Sequence, residues 1–247
     1  MRILNKVTKH VLTLTLTLMA SIHAAASSIT EVEQAQEELK ATFSNLEIVN
    51  LGESPIEGLF EVNLGSQIIY FHPKSKLLVF GEIFNSEGES LTAKAMQKQA
   101  MTTLGGLDMS KTLVIGPKDG KEIIEITDPD CPYCRRMAQF IDGLPADTKV
   151  RRRIIFDTRA HPSAKKKAAH ILCSENPEEE FARVYQNKVS EFKSCPGVFE
   201  RLQNHQDMAL ALGVSATPTV ILDGSMEVGF RPGAILDYLN SSDKSEE

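Results

Sequence analysis

Two cysteines spaced by two residues, Cys131-Pro132-Tyr133-Cys134, are the side chains of this 247-residue chain best suited to do chemistry. A C-x-x-C pair supports thiol–disulfide exchange. One thiolate attacks a disulfide sulfur, and the second thiol can then displace the product. The attacking group must be ionised, so the residues that lower its pKa matter as much as the sulfurs. Cys131 falls where a helix begins, and unpaired N–H groups with the positive end of the helix dipole favour its thiolate. Pro132 suits the first helical position, and Cys134 lies one turn further on. This reading makes Cys131 the exposed attacking thiolate and Cys134 the resolving thiol further inside. Arg135 and Arg136 would help to lower the Cys131 pKa, while Asp128 and Asp130 would oppose them. Half of a zinc site is the competing reading of the cysteine pair. It lacks a second pair, because Cys173, Cys195, His161 and His170 form no zinc-ligand pattern, and no metal is expected.

The elements around the pair follow from local pattern. Ile123, Ile124 and Ile126 mark a strand that Pro129 ends, and Arg135–Ile141 continue as a helix. A second motif, Ser215-Ala216-Thr217-Pro218-Thr219, precedes the strand Val220-Ile221-Leu222. A proline entering a strand either ends a turn or is cis, and the local sequence leaves both open. Thr112–Ile115 and Lys149–Phe156 are further strands. The run Arg151-Arg152-Arg153 reads as a solvated face or a sheet edge, ahead of a mark for an acidic partner. Helices are expected from Pro162 to Cys173, with Lys165, Lys166 and Lys167 as its wet face, from Pro177 to Ser190, from Gly197 to Leu212 and from Pro232 to Leu239. Gly213 stops the third of these, and Asp223-Gly224 turns a hairpin. Cys173 and Cys195 read as a structural pair, because neither has a C-x-x-C partner; bridging them would be worth about 3 kcal/mol.

The first 26 residues read as an export leader: Arg2, Lys6 and Lys9, then the apolar stretch Val11–Ile22, then Ala24-Ala25-Ala26 before the cut. Residues 27–90 form a small α+β module. Its helix spans Ser27–Ser44, capped by Thr30 with Glu33 and burying Ile29, Val32, Gln36, Leu39 and Phe43. Strands are expected at Leu46–Val49, Leu59–Leu64, Gln67–Phe71 and Leu77–Phe80. A module of this size is marginal alone, so it either pairs with a second copy or stands unaided. Residues 91–110 hold a helix, Leu91–Leu104, stopped by Gly105-Gly106. It is either a linker or a surface helix. Residues 111–247 are α/β. The formal net charge of −6, more negative once the leader's three cations are lost, excludes nucleic acid as the natural partner.

With these motifs in place, the chain closely resembles the DsbC/DsbG family of periplasmic thiol:disulfide interchange proteins. The resemblance rests on the leader, Thr127-Asp128 before Cys131-Pro132-Tyr133-Cys134, Gly213–Thr219, and Gly229-Phe230-Arg231-Pro232. It implies a C-terminal thioredoxin-like fold with inserted helices, a small N-terminal dimerisation domain and a helical linker. It implies a homodimer, acting on misfolded or oxidised exported proteins and kept reduced by a membrane electron donor. No cofactor beyond the Cys131–Cys134 redox pair is implied. Carried over by position, Cys131 is the nucleophile, Cys134 resolves, Pro218 is cis, and Pro132, Tyr133 and Thr217 meet the substrate. Cys173–Cys195 resembles the structural disulfide of DsbC-type members. The dipeptide Pro132-Tyr133 resembles DsbG instead. The implied activity is therefore isomerisation of wrong disulfides. Reduction of sulfenylated cysteines, or a dimeric chaperone with incidental cysteines, stands as the alternative.

Overall fold

The computed structural model describes residues 31–65 and 67–241. The leader, the Thr30 cap, Ile29 and residues 242–247 lie outside the described residues. The chain divides into two compact units, Met1–Thr92 and Ala93–Glu247.

The first unit carries helix α1, residues 31–42, and an antiparallel sheet in the order β1 (Asn50–Glu53), β2 (Phe60–Asn63), β3 (Ile68–His72) and β4 (Leu77–Val79). Its core is Ala35, Leu39, Leu51, Val62, Ile69 and Phe71. The alternation of β2 was legible, since Val62 is buried and pairs with Leu51 and Ile69. Two expectations change. The first strand is Asn50–Glu53 rather than Leu46–Val49, because Leu46 and Ile48 serve as packing groups while the next four residues pair with β2. The buried face of α1 uses Ala35, not Gln36, since alanine lets the helix approach the sheet without burying an amide. On the other face of β3, Tyr70 donates to or accepts from Thr92 Oγ1, which also accepts the Ile83 N–H at 2.9 Å.

Helix α2 (Leu91–Gly106) follows. It runs through Gly105 and Gly106 instead of stopping before them, because neither glycine takes a left-handed backbone. Met101 and Leu104 pack on the core of the second unit.

The second unit is a five-stranded mixed sheet in the order β5 (Leu113–Ile115), β7 (Val150–Phe156), β6 (Lys121–Thr127), β8 (Thr219–Leu222), β9 (Ser225–Val228). Only β6 and β7 run parallel. On one face α3 (Pro132–Asp142), α4 (Lys165–Leu172) and α5 (Pro177–Tyr185) cover Ile123, Ile154 and Phe156; on the other α6 (Val198–Ala211) covers Ile126 and Ile155. The last helix, α7 (Pro232–Asn240), adds Ile235 to the core. Gly213, with φ 70°, ends α6 as expected, and Asp223-Gly224 turn the last hairpin with φ 47° and 77°. Helix α5 stops at Tyr185, not Ser190. Asn187 adopts φ 55°, and the Lys188 N–H returns to Arg183 O at 2.9 Å, closing the helix end. Cys173 and Cys195 are joined across 22 positions, tying the end of α4 to the approach to α6.

The arginine run is neither an edge nor a solvated face. Strand β7 lies between β5 and β6, and each arginine meets a carboxylate on β6. Arg151 and Arg153 grip Glu122, and Arg152 donates twice to Glu125 Oε2 at 2.9 and 2.7 Å. The lysine run is also only partly wet, since Lys167 turns inward to Asp130.

His205 of α6 is fully buried. Its Nδ1 accepts the Phe156 N–H at 3.0 Å and its Nε2–H donates to Lys111 O at 2.9 Å. Burial pushes its pKa down from 6.5 to about 4. The unfolded chain therefore binds the extra proton first. The contribution is fully present above pH 6.5 and is lost as pH falls toward 4, amounting to ~3 kcal/mol. Urea unfolding of His205→Gln is expected to lose this pH dependence over that window. An unchanged slope would remove His205 from the acid transition.

Candidate active site

Strand β6 delivers the chain to the site. Thr127 and Asp128 at its end are fully buried, Pro129 breaks the strand, and Cys131 becomes the N-cap of α3 with Pro132 at its first turn. Asp128 organises this turn through every polar atom it owns. Its N–H donates to Cys134 Sγ at 3.4 Å, and its carbonyl accepts the Cys131 N–H at 3.1 Å. Its Oδ1 accepts the Asp130 N–H at 2.7 Å, and its Oδ2 meets His161 Nδ1 at 2.8 Å.

Both cysteines are free thiols. Cys134 is fully enclosed and Cys131 is 6% accessible. The expectation of an exposed Cys131 is therefore corrected: it is the outer of the two, but the Thr217–Pro218 segment crosses over it. As a thiol, Cys131 Sγ donates to Thr217 O at 3.3 Å. As a thiolate it is held low, to about 5, by the Cys134 Sγ–H first, then by the N–H groups of Cys134 and Tyr133 and by Thr217, against the opposing effect of burial. Burial pushes the Cys134 thiol the other way, well above the ordinary thiol range, and hydrogen bonding to Cys131 adds to the rise. The pair thus divides the labour. One sulfur is a thiolate at neutral pH, and the other is its proton-bearing neighbour.

The arginines do not produce this effect. Arg135 is spent on Pro129 O and Asp130, and Arg136 lies over the Tyr133 ring at 5.4 Å. The acids are equally occupied. Asp130 is met by Arg135 at 3.1 Å, by Ser163 at 3.0 Å and by Lys167 at 2.5 Å, and its carboxyl is held below the usual range. With those side chains paired to one another, the Cys134 thiol decides first, and the N–H groups at the start of α3 add to its effect.

The Thr217–Pro218 bond is cis, which settles the open alternative at that proline. Its loop is fixed from three sides. Arg159 donates to Val214 O at 2.8 Å while gripping Asp157, Thr219 Oγ1 donates to Ala216 O at 2.7 Å, and the Gly229 N–H donates to Pro218 O at 2.7 Å. Tyr133 is 57% exposed beside the pair. Cys131, Cys134, Pro132, Tyr133, Thr217 and Pro218 thus meet in one place, and Cys173–Cys195 lies elsewhere. The pattern missed His161, Asp157 and Arg159. No local motif marks them, since their partners sit on other elements.

Among the described residues, no helix is long and apolar enough to cross a membrane. Residues 23–93 match the family model described as the disulfide bond isomerase protein N-terminal domain, and residues 107–240 match the thioredoxin-like domain. The thiol:disulfide interchange protein DsbC of Escherichia coli K12 is 22% identical over 217 residues, 87% of this chain and 90% of its own. DsbG of the same strain is 30% identical over 115 residues, 44% of this chain and 46% of its own. A linker-deletion mutant of Proteus mirabilis ScsC has a similar fold, with a TM-score of 0.52 at 20% identity over 59% of this chain and 82% of that one.

Proposed function

Since the chain belongs to the thioredoxin-like family, as a thiol–disulfide oxidoreductase of the DsbC/DsbG type, we propose that it repairs wrongly formed disulfides in exported proteins. The Cys131 thiolate attacks a client disulfide, forming a mixed disulfide and releasing one client thiolate. That thiolate, or another on the client, then attacks the client sulfur of the mixed disulfide and restores Cys131; this is isomerisation, with no net transfer of electrons. Alternatively Cys134 loses its proton and attacks Cys131 Sγ. The client leaves reduced, and the enzyme keeps the disulfide until a membrane electron donor supplies two electrons. Pro132, Tyr133, Thr217 and Pro218 hold the client backbone beside Cys131.

The observation that carries the reading is the placement of Cys131 at the start of α3, under Thr217 O and in reach of the Cys134 thiol. Periplasmic placement fits the leader pattern and the relatives. A homodimer fits the first unit, whose edge strand β4 shows Leu77 and Val79 to solvent, with Phe80 and Phe84 beyond it at 66% and 59% exposure. An edge of that kind seeks a partner strand.

The decisive assay is refolding of a scrambled multi-disulfide protein with a catalytic trace of thiol. Native activity should return with the wild type and not with Cys131→Ser. Equal recovery with Cys131→Ser would sink the mechanism. A second reading, reduction of sulfenylated cysteines, draws on Pro132-Tyr133 and on the higher local identity to DsbG. There the thiolate attacks the sulfenic sulfur, water leaves, and Cys134 resolves the mixed disulfide. Failure on scrambled substrate with turnover of a sulfenylated protein would select it.

A further inference from the structure

Asp128 is a fully buried carboxylate whose one side-chain partner among the described residues is His161, at 2.8 Å. That makes His161 part of the redox centre by geometry. It sits 33 positions from Asp128 in sequence, on the segment between β7 and α4, yet it closes the turn that carries both cysteines. The Asp128 main chain holds the Cys131 backbone through its carbonyl and the Cys134 sulfur through its N–H, so whatever fixes Asp128 fixes the turn that carries both cysteines.

The charges around His161 leave it a specific task. From the loop before α3 come Asp128 and Asp130, and from the start of α3 comes the Cys131 thiolate. Asp130 is already met by Arg135 and Lys167. Arg159, two residues before His161, is committed to Asp157 and Val214 O. Among the described residues the Asp128 carboxylate therefore has His161 as its one side-chain partner, and that imidazole also feels the charges of the Cys131 thiolate and of Asp130.

We propose that His161 is a positioning residue of the dithiol centre, which couples the stability of the Cys131 thiolate to pH through the Asp128 carboxylate. While the imidazole is protonated, Asp128 is neutralised and the thiolate is tolerated beside it. When the imidazole loses its proton, the carboxylate repels the thiolate and the dithiol form is less favoured. Bonding to Asp128 first, and then the charges of Asp128, Cys131 and Asp130, raise the His161 pKa, against the effect of burial. Burial raises that of Asp128, which its bonds to Asp130 N–H and His161 partly reverse. The coupling is reciprocal, so removing the thiolate by oxidation must lower the His161 pKa.

The inference rests on the thiol–disulfide reading of the site, but its test does not depend on isomerase activity. The full chain, wild type and His161→Gln, is titrated by thiolate absorbance. Glutamine keeps a donor for Asp128 and removes the charge. The expected result is a Cys131 pKa raised by about half a unit in His161→Gln, as for loss of a partly screened opposite charge, with recovery in His161→Lys. Independently, the imidazole resonances of wild-type protein should titrate at higher pH in the dithiol form than in the disulfide form. This second measurement needs no variant to fold. Identical Cys131 titrations, or an imidazole pKa that ignores the redox state, would overturn the coupling. Loss of repair activity with the titration shift intact would count against the proposed substrate and not against His161.

Discussion

Cys134→Ser is expected to turn the protein into a trap that holds clients as mixed disulfides. Cys134 is enclosed, its sulfur accepts the Asp128 N–H at 3.4 Å, and its proton supports the Cys131 thiolate. Serine keeps a hydroxyl of similar reach, so Cys131 can still attack. What disappears is the resolving sulfur. An attached nucleophile has an effective concentration far above that of any free thiol, so release of reduced client should slow by about 10²-fold or more. Isomerisation, which uses the client's own thiols, should suffer much less. Non-reducing electrophoresis of the variant mixed with an oxidised client would show the adduct, cleared by excess reductant. If no adduct forms while wild-type reduction proceeds, Cys134 is not the resolving group.

The other large effect lies at the Glu125–Arg152 pair. Glu125 on β6 is completely buried and Arg152 on β7 is 4% accessible, with its guanidinium 4.6 Å above the Phe181 ring. Arg152 makes both of its bonds to Oε2, and Oε1 has no partner among the described residues. Arg152→Met would leave a carboxylate alone inside the sheet, at an expected cost of about 3–5 kcal/mol. The double variant Glu125→Leu with Arg152→Met should recover most of that loss, because the desolvation cost of both charges goes together. Urea unfolding of the single and double variants measures the difference. A single variant within about 1 kcal/mol of wild type, the range of an exposed ion pair, would show that the pair is wet in solution.

The same arginines show where local pattern stops being informative. Arg151, Arg152 and Arg153 look like a wet edge, because three adjacent cations have no acid within a turn. Their acids, Glu122 and Glu125, lie 29, 31 and 27 positions away and meet them only when β6 and β7 pair in parallel. Misplacement of the first strand has a similar origin. Leu46 and Ile48 carry the apolar pattern of a strand, but they pack against the core of the first unit and leave backbone pairing to Asn50–Glu53.

What the sequence by itself determined was the reacting pair and its local support. The strand-breaking Pro129, the N-cap position of Cys131, Pro132 in the first turn and Cys134 one turn later are all consequences of neighbours within a few residues. Helix ends at Gly213 and the hairpin at Asp223-Gly224 belong to the same class, since they depend on backbone freedom at one or two positions. Only the tertiary structure decided the electrostatics of the site. It buried Cys131 beneath Thr217 and assigned Arg135 and Lys167 to Asp130. It also brought His161 to Asp128 from the far side of β7. A charge acts through distance in space and through the dielectric around it, and neither is written in the order of residues along the chain.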